Sequence, residues 1–176
     1  MVYGLLAYLL WGLFPAFFPL LLPAGPVEIL AHRVLWTAVI MAAALTALRG
    51  WGELRRASGR TWLQLIAAGA LISTNWGIYV LAVNSNHVAD AALGYFINPL
   101  LSVLLAVLFL RERLNRFQLT AVAVAAAGVI QLTFLSGQAP VMAIGMALSF
   151  GFYGLVKKQV KVSAAASLTA ETLVVA

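Results

Sequence analysis

One stretch of the sequence decides the fold: residues 87–113 read HVADAALGYFINPLLSVLLAVLFLRER. Twenty uncharged residues lie between Asp90 and Arg111, and a helix of that length crosses the roughly 30 Å hydrocarbon core of a bilayer. Pro99 has no backbone N–H, so the carbonyl oxygen of Tyr95 needs another hydrogen-bond donor. Within a membrane such a donor is found only in protein or in a wet cavity. This helix is therefore predicted to face other helices.

The composition is typical of a membrane protein. Of the 176 residues, 64% are hydrophobic and 9% are charged, whereas soluble domains average about 25% charged residues. The net charge is +6, but ten of the eleven basic residues fall into three short segments that do not alternate with aromatic residues. That distribution excludes nucleic acid as a partner and favours the lipid bilayer. The chain has no cysteine, so it has neither disulfides nor thiolate metal sites.

The apolar stretches predict an all-α, polytopic transmembrane bundle. Six stretches are long enough to span a membrane: residues 2–22, 27–48, 61–83, 90–110, 117–135 and 139–156, and a seventh begins near residue 168. Lys and Arg lie in the connections after the second, fourth and sixth spans, and the alternate connections have none. By the positive-inside rule, the N-terminus and the three basic connections are predicted to be cytoplasmic. Because these connections are short, successive helices are predicted to be antiparallel neighbours.

An internal repeat predicts how the spans are organised. Residues 6–14 read LAYLLWGLF and residues 148–156 read LSFGFYGLV, which pairs Tyr8 with Phe150. A Glu-x-Leu motif follows each copy, with Glu28 sixteen residues after Gly12 and Glu171 seventeen residues after Gly154. Five spans per copy is an odd number, so the second copy is predicted to be inverted, as in secondary transporters with a midplane binding site. The predicted divisions are a first five-helix repeat at residues 1–135 and the start of a second repeat at 139–176.

Several segments then resemble a known family. EILAHRVLW, GYFINPL, LSFGFYGL and LTAETL are similar to segments of the RarD-type proteins of the EamA family, within the drug/metabolite transporter superfamily. The resemblance runs over the whole chain and implies a ten-helix permease of the bacterial inner membrane, built from two inverted EamA repeats. This chain corresponds to one repeat and the beginning of the other. Its expected partner is the missing second repeat or a homodimer partner, although the uniform charge bias disfavours antiparallel insertion of two copies.

Polar and aromatic side chains within the spans are candidates for a substrate pathway, because lipid cannot satisfy their hydrogen bonds. Tyr95, Asn98 and Ser102 form a polar stripe across the middle of the fourth span, beside the break at Pro99. The candidates on the other spans are Trp11, His32, Arg33, Asn75, Trp76 and Tyr79. The alternative interpretation is that these groups pack and hydrogen-bond the helices to one another. In the same way, stripes of small residues on the third and fifth spans are predicted to be packing faces.

Charged residues on the second span suggest a more specific hypothesis. Glu28 and His32 are four residues apart on one helix face, and they are predicted to form a proton-sensitive pair at the outer mouth. Arg33 would orient an anionic group or hold Glu28. In the alternative interpretation, Glu28 stabilises the helix N-terminus and Arg33 extends to the membrane interface. Glu112, between two arginines, is expected to form a local ion pair.

No enzyme signature is present. The sequence has no Gly-rich phosphate loop, no histidine pair at zinc-ligand spacing and no serine elbow, so no catalytic residue, cofactor or metal is expected. The predicted function is transport of a small organic solute or drug-like metabolite by alternating access. The alternative is a non-transporting membrane subunit or a truncated, inactive fragment of such a permease.

Overall fold

The structure, a computed structural model, describes residues 2–136 and 140–176, and the described residues form helices and no strands. The helices are α1 (Val2–Gly12), α2 (Phe14–Phe17), a 3₁₀ turn (Phe18–Leu21), α3 (Pro26–Ala47), α4 (Trp51–Arg55), α5 (Gly59–Asn84), α6 (Val88–Leu110), α7 (Arg116–Ser136), α8 (Val141–Lys157) and α9 (Ala164–Val175). The predicted all-α class is confirmed. Residues 137–139, which include the first residue of the predicted sixth span at 139–156, lie outside the described residues.

Four helices are long and apolar enough to cross a membrane: Pro26–Ala47, Gly59–Asn84, Val88–Phe109 and Arg116–Leu135. α8 and α9 are shorter apolar helices. The first predicted span, residues 2–22, is not one helix, because α1 ends at Gly12 and α2 starts at Phe14. Pro15 lacks the N–H that would continue the helical ladder, and the chain restarts with the amides of Ala16 and Phe17 donating to the Leu13 carbonyl.

The most extensive helix contacts do not join sequence neighbours. α8 packs against α6 and α5, and α9 packs against α3 and α5. At Gly94 a Cβ atom would lie 3.1 Å from the Ala143 carbonyl oxygen, and at Gly69 it would lie 2.7 Å from the Glu171 carbonyl oxygen. In lipid, helices associate through close packing rather than through the hydrophobic effect. Successive helices do contact one another, as predicted, at α3 with α5, α5 with α6 and α6 with α7, but the closest packing, at glycines, joins helices that are not successive.

α7 differs from the other long helices. None of its apolar window is buried against the described part of the chain. A Cβ atom added at Gly128 would meet nothing within 4 Å, and Ala121 and Ala125 are exposed. The predicted packing stripe on this span therefore has no partner helix among the described residues.

The three basic connections meet at one end of the bundle. The carboxylate of Glu53, after α3, accepts a hydrogen bond of 2.7 Å from the backbone N–H of Ser163, which precedes α9. The Nζ of Lys158, after α8, lies 3.2 Å from the carboxylate of Glu112, after α6. The local ion pair predicted for Glu112 is thus replaced by a pair between two connections, because Arg111 ends α6 in a left-handed conformation with φ 56°.

A buried carboxylate joins α8 to α9. Glu171 has no exposed side-chain surface, and its Oε1 lies 2.7 Å from the Nζ of Lys157. The hydroxyl of Ser167 donates to the same oxygen at 2.5 Å, and the hydroxyl of Tyr153 donates to Oε2 at 3.2 Å. The carboxylate is therefore fully engaged within the protein. In the sequence, Glu171 stood out only as a repeat marker.

Candidate substrate cavity

A cavity of about 500 Å³ lies among α1, α5, α6 and α8. Sites for small organic molecules typically occupy roughly 300–1,000 Å³, so this cavity is large enough for a drug-sized solute. Its lining is mainly aromatic and apolar: Tyr8, Trp11, Gly12, Tyr79, Val88, Ala91, Ala92, Tyr95, Asn98, Pro99 and Phe150.

Tyr95 of α6 is the centre of the aromatic wall. Its ring meets the Trp11 ring edge-on at 5.7 Å between centroids, and it meets the Tyr79 ring at 5.9 Å. Trp11 in turn stacks on Tyr8 at 6.4 Å. Edge-on and stacked rings attract one another through their quadrupoles, so these contacts hold the rings in place. The wall thus combines side chains from α1 with side chains from the consecutive helices α5 and α6.

Asn98 supplies the cavity with a polar group. Its side chain is only 7% exposed, and its Oδ1 has no hydrogen-bond partner among the described residues. A buried acceptor without a donor costs about 1–3 kcal/mol. The oxygen itself is buried, so the cavity offers a solute mainly aromatic and apolar surface, together with the amide residue Asn98 in its lining.

Asn75 does not line the cavity, although it was a pathway candidate. Its side chain is 2% exposed, and its amide nitrogen donates to the Met146 carbonyl oxygen at 2.9 Å and to the Ser149 hydroxyl at 3.3 Å. Asn75 therefore joins α5 to α8, which is the alternative role considered for it. Ser102 is also absent from this lining and belongs to a smaller cavity of about 140 Å³ between α6 and α8.

A second group of pathway candidates gathers around Arg33. Its guanidinium lies 4.4 Å from the centroid of the Trp76 ring and 5.5 Å from that of Phe14. Arg33 therefore contacts aromatic rings of both α2 and α5. Glu28 and His32 are exposed, and in the described structure no salt bridge joins Glu28 to His32 or to Arg33. Glu28 does lie in the first turn of α3.

The cavity also contains residues that the sequence did not single out. Phe150, Val88, Ala91 and Ala92 line it but are apolar, so nothing in their chemistry separates them from packing residues. Phe150 did carry a signal, because the repeat pairs it with Tyr8, and both residues line the same cavity. Among the described residues, no group of three or more His, Asp or Glu side chains is arranged to hold a metal ion.

Comparison with known proteins identifies the family. Residues 1–134 match the model of the EamA-like transporter family. The chain belongs to this family of transporters. Together with the four long apolar helices, this membership makes it a multi-pass protein of the inner membrane. No solved structure matches the chain.

Individual EamA relatives are similar over nearly the whole chain. Protein RarD of Streptomyces exfoliatus is 47% identical over 177 residues, which covers 99% of this chain and 56% of the relative. The "Uncharacterized transporter YojE" of Bacillus subtilis is 47% identical over 180 residues, with 99% and 60% covered. The "Chloramphenicol-sensitive protein RarD" of Pseudomonas aeruginosa is 30% identical over 180 residues, with 97% and 59% covered. The chain thus spans 56–60% of the length of these curated relatives.

Proposed function

We propose that this chain forms the first repeat and the start of the second repeat of a permease, which moves a small organic solute across the inner membrane by alternating access. The observation that carries the proposal is the aromatic cavity with the unpartnered Oδ1 of Asn98. Membership of a transporter family supports it. The solute would rest against Tyr95, Tyr79 and Trp11 and would lie beside the Asn98 side chain.

The position of the cavity supports an alternating-access mechanism. In transporters with inverted repeats, the binding site lies between the two repeats near the middle of the membrane. Tyr8 and Phe150, which occupy equivalent positions in the predicted repeat, both line this cavity. Residues of the first repeat and of the predicted second repeat would thus contact the same solute. The rest of the wall would come from the remainder of the second repeat or from a homodimer partner.

Proton coupling is a separate part of this proposal. Glu28 and His32 both have exposed side chains near the start of α3, where they could exchange protons with water. Replacing His32 with Ala is expected to alter the pH dependence of uptake. Unchanged pH dependence of uptake would reject proton coupling through His32, but it would not argue against the solute site.

Chloramphenicol is a suitable probe of the cavity. The name of the Pseudomonas aeruginosa relative links that protein to chloramphenicol sensitivity. Chloramphenicol carries an aromatic ring together with hydroxyl groups and an amide N–H, which match an aromatic wall and a hydrogen-bond acceptor. Radiolabelled chloramphenicol would be followed by counterflow in proteoliposomes, which reports movement in either direction. Equilibrium binding to the detergent-solubilised chain would be measured in parallel.

The matched variants are Tyr95→Ala and Phe96→Ala, which remove neighbouring aromatic rings of α6. Tyr95 lines the cavity, whereas Phe96 is 64% exposed and does not line it. Tyr95→Ala is expected to weaken binding and counterflow about tenfold, from the lost ring contacts and buried area, and Phe96→Ala is expected to preserve both. Equal losses of binding and counterflow in the two variants would contradict the proposal that the solute binds in this cavity. Binding without counterflow would favour the alternative, a non-transporting subunit or an inactive fragment.

A further inference from the structure

We infer that Arg33 is an anion-binding group beside the aromatic cavity, so that the site prefers a solute with a carboxylate or phosphate to a neutral solute of the same shape. This inference deepens the proposed function, on which it rests, by naming the class of substrate. The anionic group would bind the guanidinium edge between α2, α3 and α5, and the apolar part of the solute would lie against the cavity wall.

The first observation is the depth of the charge. Arg33 is the eighth residue of α3, which places its Cα about 10 Å along the helix from Pro26. Its side chain is partly buried rather than directed into bulk water. A cation at such a depth is costly, and intramembrane arginines normally pair with an anion or line a wet pathway.

The second observation is how the guanidinium is held. The guanidinium carbon lies over the Trp76 ring at 4.4 Å and over the Phe14 ring at 5.5 Å, so both rings contact the cation. A guanidinium has five N–H donors around its edge, and these match the paired oxygens of a carboxylate or phosphate. Among the described residues no salt bridge engages its nitrogen atoms, and none of them is a buried atom without a partner. The two rings stabilise the cation without neutralising its charge.

The third observation is the position of the acidic residues. The chain has five, and three are engaged away from Arg33: Glu53 with Ser163, Glu112 with Lys158 and Glu171 with Lys157. Glu28 is exposed on the same helix, and neither it nor Asp90 forms a salt bridge with Arg33 in the described structure. The described part of the chain therefore supplies no counter-ion for Arg33.

The fourth observation connects Arg33 to the cavity. The Trp76 ring that its guanidinium contacts lies three residues before Tyr79 on α5, so the two side chains are neighbours on that helix, and Tyr79 lines the cavity. A box of aromatic rings can also hold a cation. Here the neighbouring arginine would repel one, and no carboxylate lines the cavity among the described residues to compensate. The charge distribution consequently favours a solute with a negative group.

The experiment compares an aromatic anion with a neutral molecule of the same shape. Binding of 4-fluorobenzoate and 4-fluorobenzamide to the chain would be measured by ¹⁹F NMR in dodecyl maltoside micelles, which contain no lipid phosphate. We expect benzoate to bind about tenfold more tightly than benzamide, and we expect this preference to disappear in Arg33→Gln. Arg33→Lys should restore only part of it, because an ammonium lacks the planar fork. Arg60→Gln, which removes an exposed arginine near the start of α5, is the control and should keep the preference.

Three results would overturn the inference. Equal binding of benzoate and benzamide to the unsubstituted chain would show that the chain has no anion site, and this comparison does not depend on the folding of any variant. Such a result would not argue against the proposed solute cavity. Failure of both compounds to bind would also reject an accessible anion site, while chloramphenicol binding and counterflow would judge the proposed function independently. Loss of the benzoate preference when phosphatidylglycerol is added at a low molar ratio would assign the site to a lipid headgroup instead of a solute.

Discussion

The Nζ of Lys157 lies 2.7 Å from the carboxylate of Glu171, and this carboxylate has no exposed surface. Removing one member of a buried ion pair leaves the other without compensation, which costs about 3–5 kcal/mol. We therefore expect Lys157→Met to lower the thermal stability of the chain markedly in detergent. Thermal unfolding followed by tryptophan fluorescence is the measurement.

The adjacent lysine is a control for this prediction. Lys158 pairs with Glu112, but both side chains are more than half exposed. Exposed ion pairs contribute about 0–1 kcal/mol, so Lys158→Met should change stability little. A similar loss of thermal stability in both variants would show that the contribution of the Lys157–Glu171 pair does not come from the burial of Glu171.

Close approach of α5 to α9 predicts a steric effect at Gly69. A Cβ atom there would lie 2.7 Å from the Glu171 carbonyl oxygen, which is backbone and cannot rotate away. Gly69→Ala should separate the two helices and destabilise the fold by about 1–3 kcal/mol. In Gly128→Ala on α7, where a Cβ atom meets nothing within 4 Å, we expect no loss and a gain of up to about 1 kcal/mol from helix propensity. Thermal unfolding of both variants tests these two predictions. Unchanged stability of Gly69→Ala would be inconsistent with the close packing of α5 against α9.

The two buried asparagines should respond to alanine in opposite ways. Asn75 donates hydrogen bonds to α8, so Asn75→Ala should destabilise the bundle by about 1–2 kcal/mol. The Oδ1 of Asn98 has no partner, so Asn98→Ala should preserve or raise stability while it weakens chloramphenicol counterflow about tenfold. Thermal unfolding and counterflow would be measured on both variants. A large loss of stability in Asn98→Ala would instead assign Asn98 to helix packing.

The orientation of the chain has its own test. Because the sequence contains no cysteine, single cysteines at Arg56 and His87 can be labelled without background. Arg56 lies in a basic connection and His87 in a connection without Lys or Arg, and both side chains are exposed. By the positive-inside rule we expect an impermeant thiol reagent to reach His87→Cys from outside the cell and Arg56→Cys only from the cytoplasmic side. Labelling of both from one side would be incompatible with the predicted topology.

Much of the fold could be predicted from the sequence, because a span in lipid needs a minimum length of apolar residues. The predicted spans 27–48 and 61–83 correspond to α3 at Pro26–Ala47 and α5 at Gly59–Asn84. The break after Gly12 has a local cause in Pro15, which has no backbone N–H to continue the helical hydrogen bonds. The local sequence thus predicts where helices occur and where a proline can interrupt them.

The partners of individual side chains could not be predicted in the same way. Asn75 and Asn98 are the same residue type within apolar helices, yet one bonds to α8 and the other lines the cavity. That difference depends on how α8 packs between α5 and α6, which in turn depends on close contacts at glycines of several helices. Hydropathy carries no information about such contacts. Trp11, Tyr79 and Tyr95 do meet in the structure, whereas Arg33 contacts Trp76 and Phe14 outside this lining and His32 is exposed.

The central claim is that a cavity within the membrane is open to water and solute, and thiol accessibility tests it most directly. Asn98→Cys would place a thiol in the cavity wall, and Ala127→Cys would place one on the exposed face of α7 at a similar depth. Because thiols react with methanethiosulfonates as thiolates in water, we expect a charged methanethiosulfonate to modify Asn98→Cys and to leave Ala127→Cys in lipid unmodified. An unreactive Asn98→Cys, or equal rates at both positions, would contradict an aqueous pathway at this site.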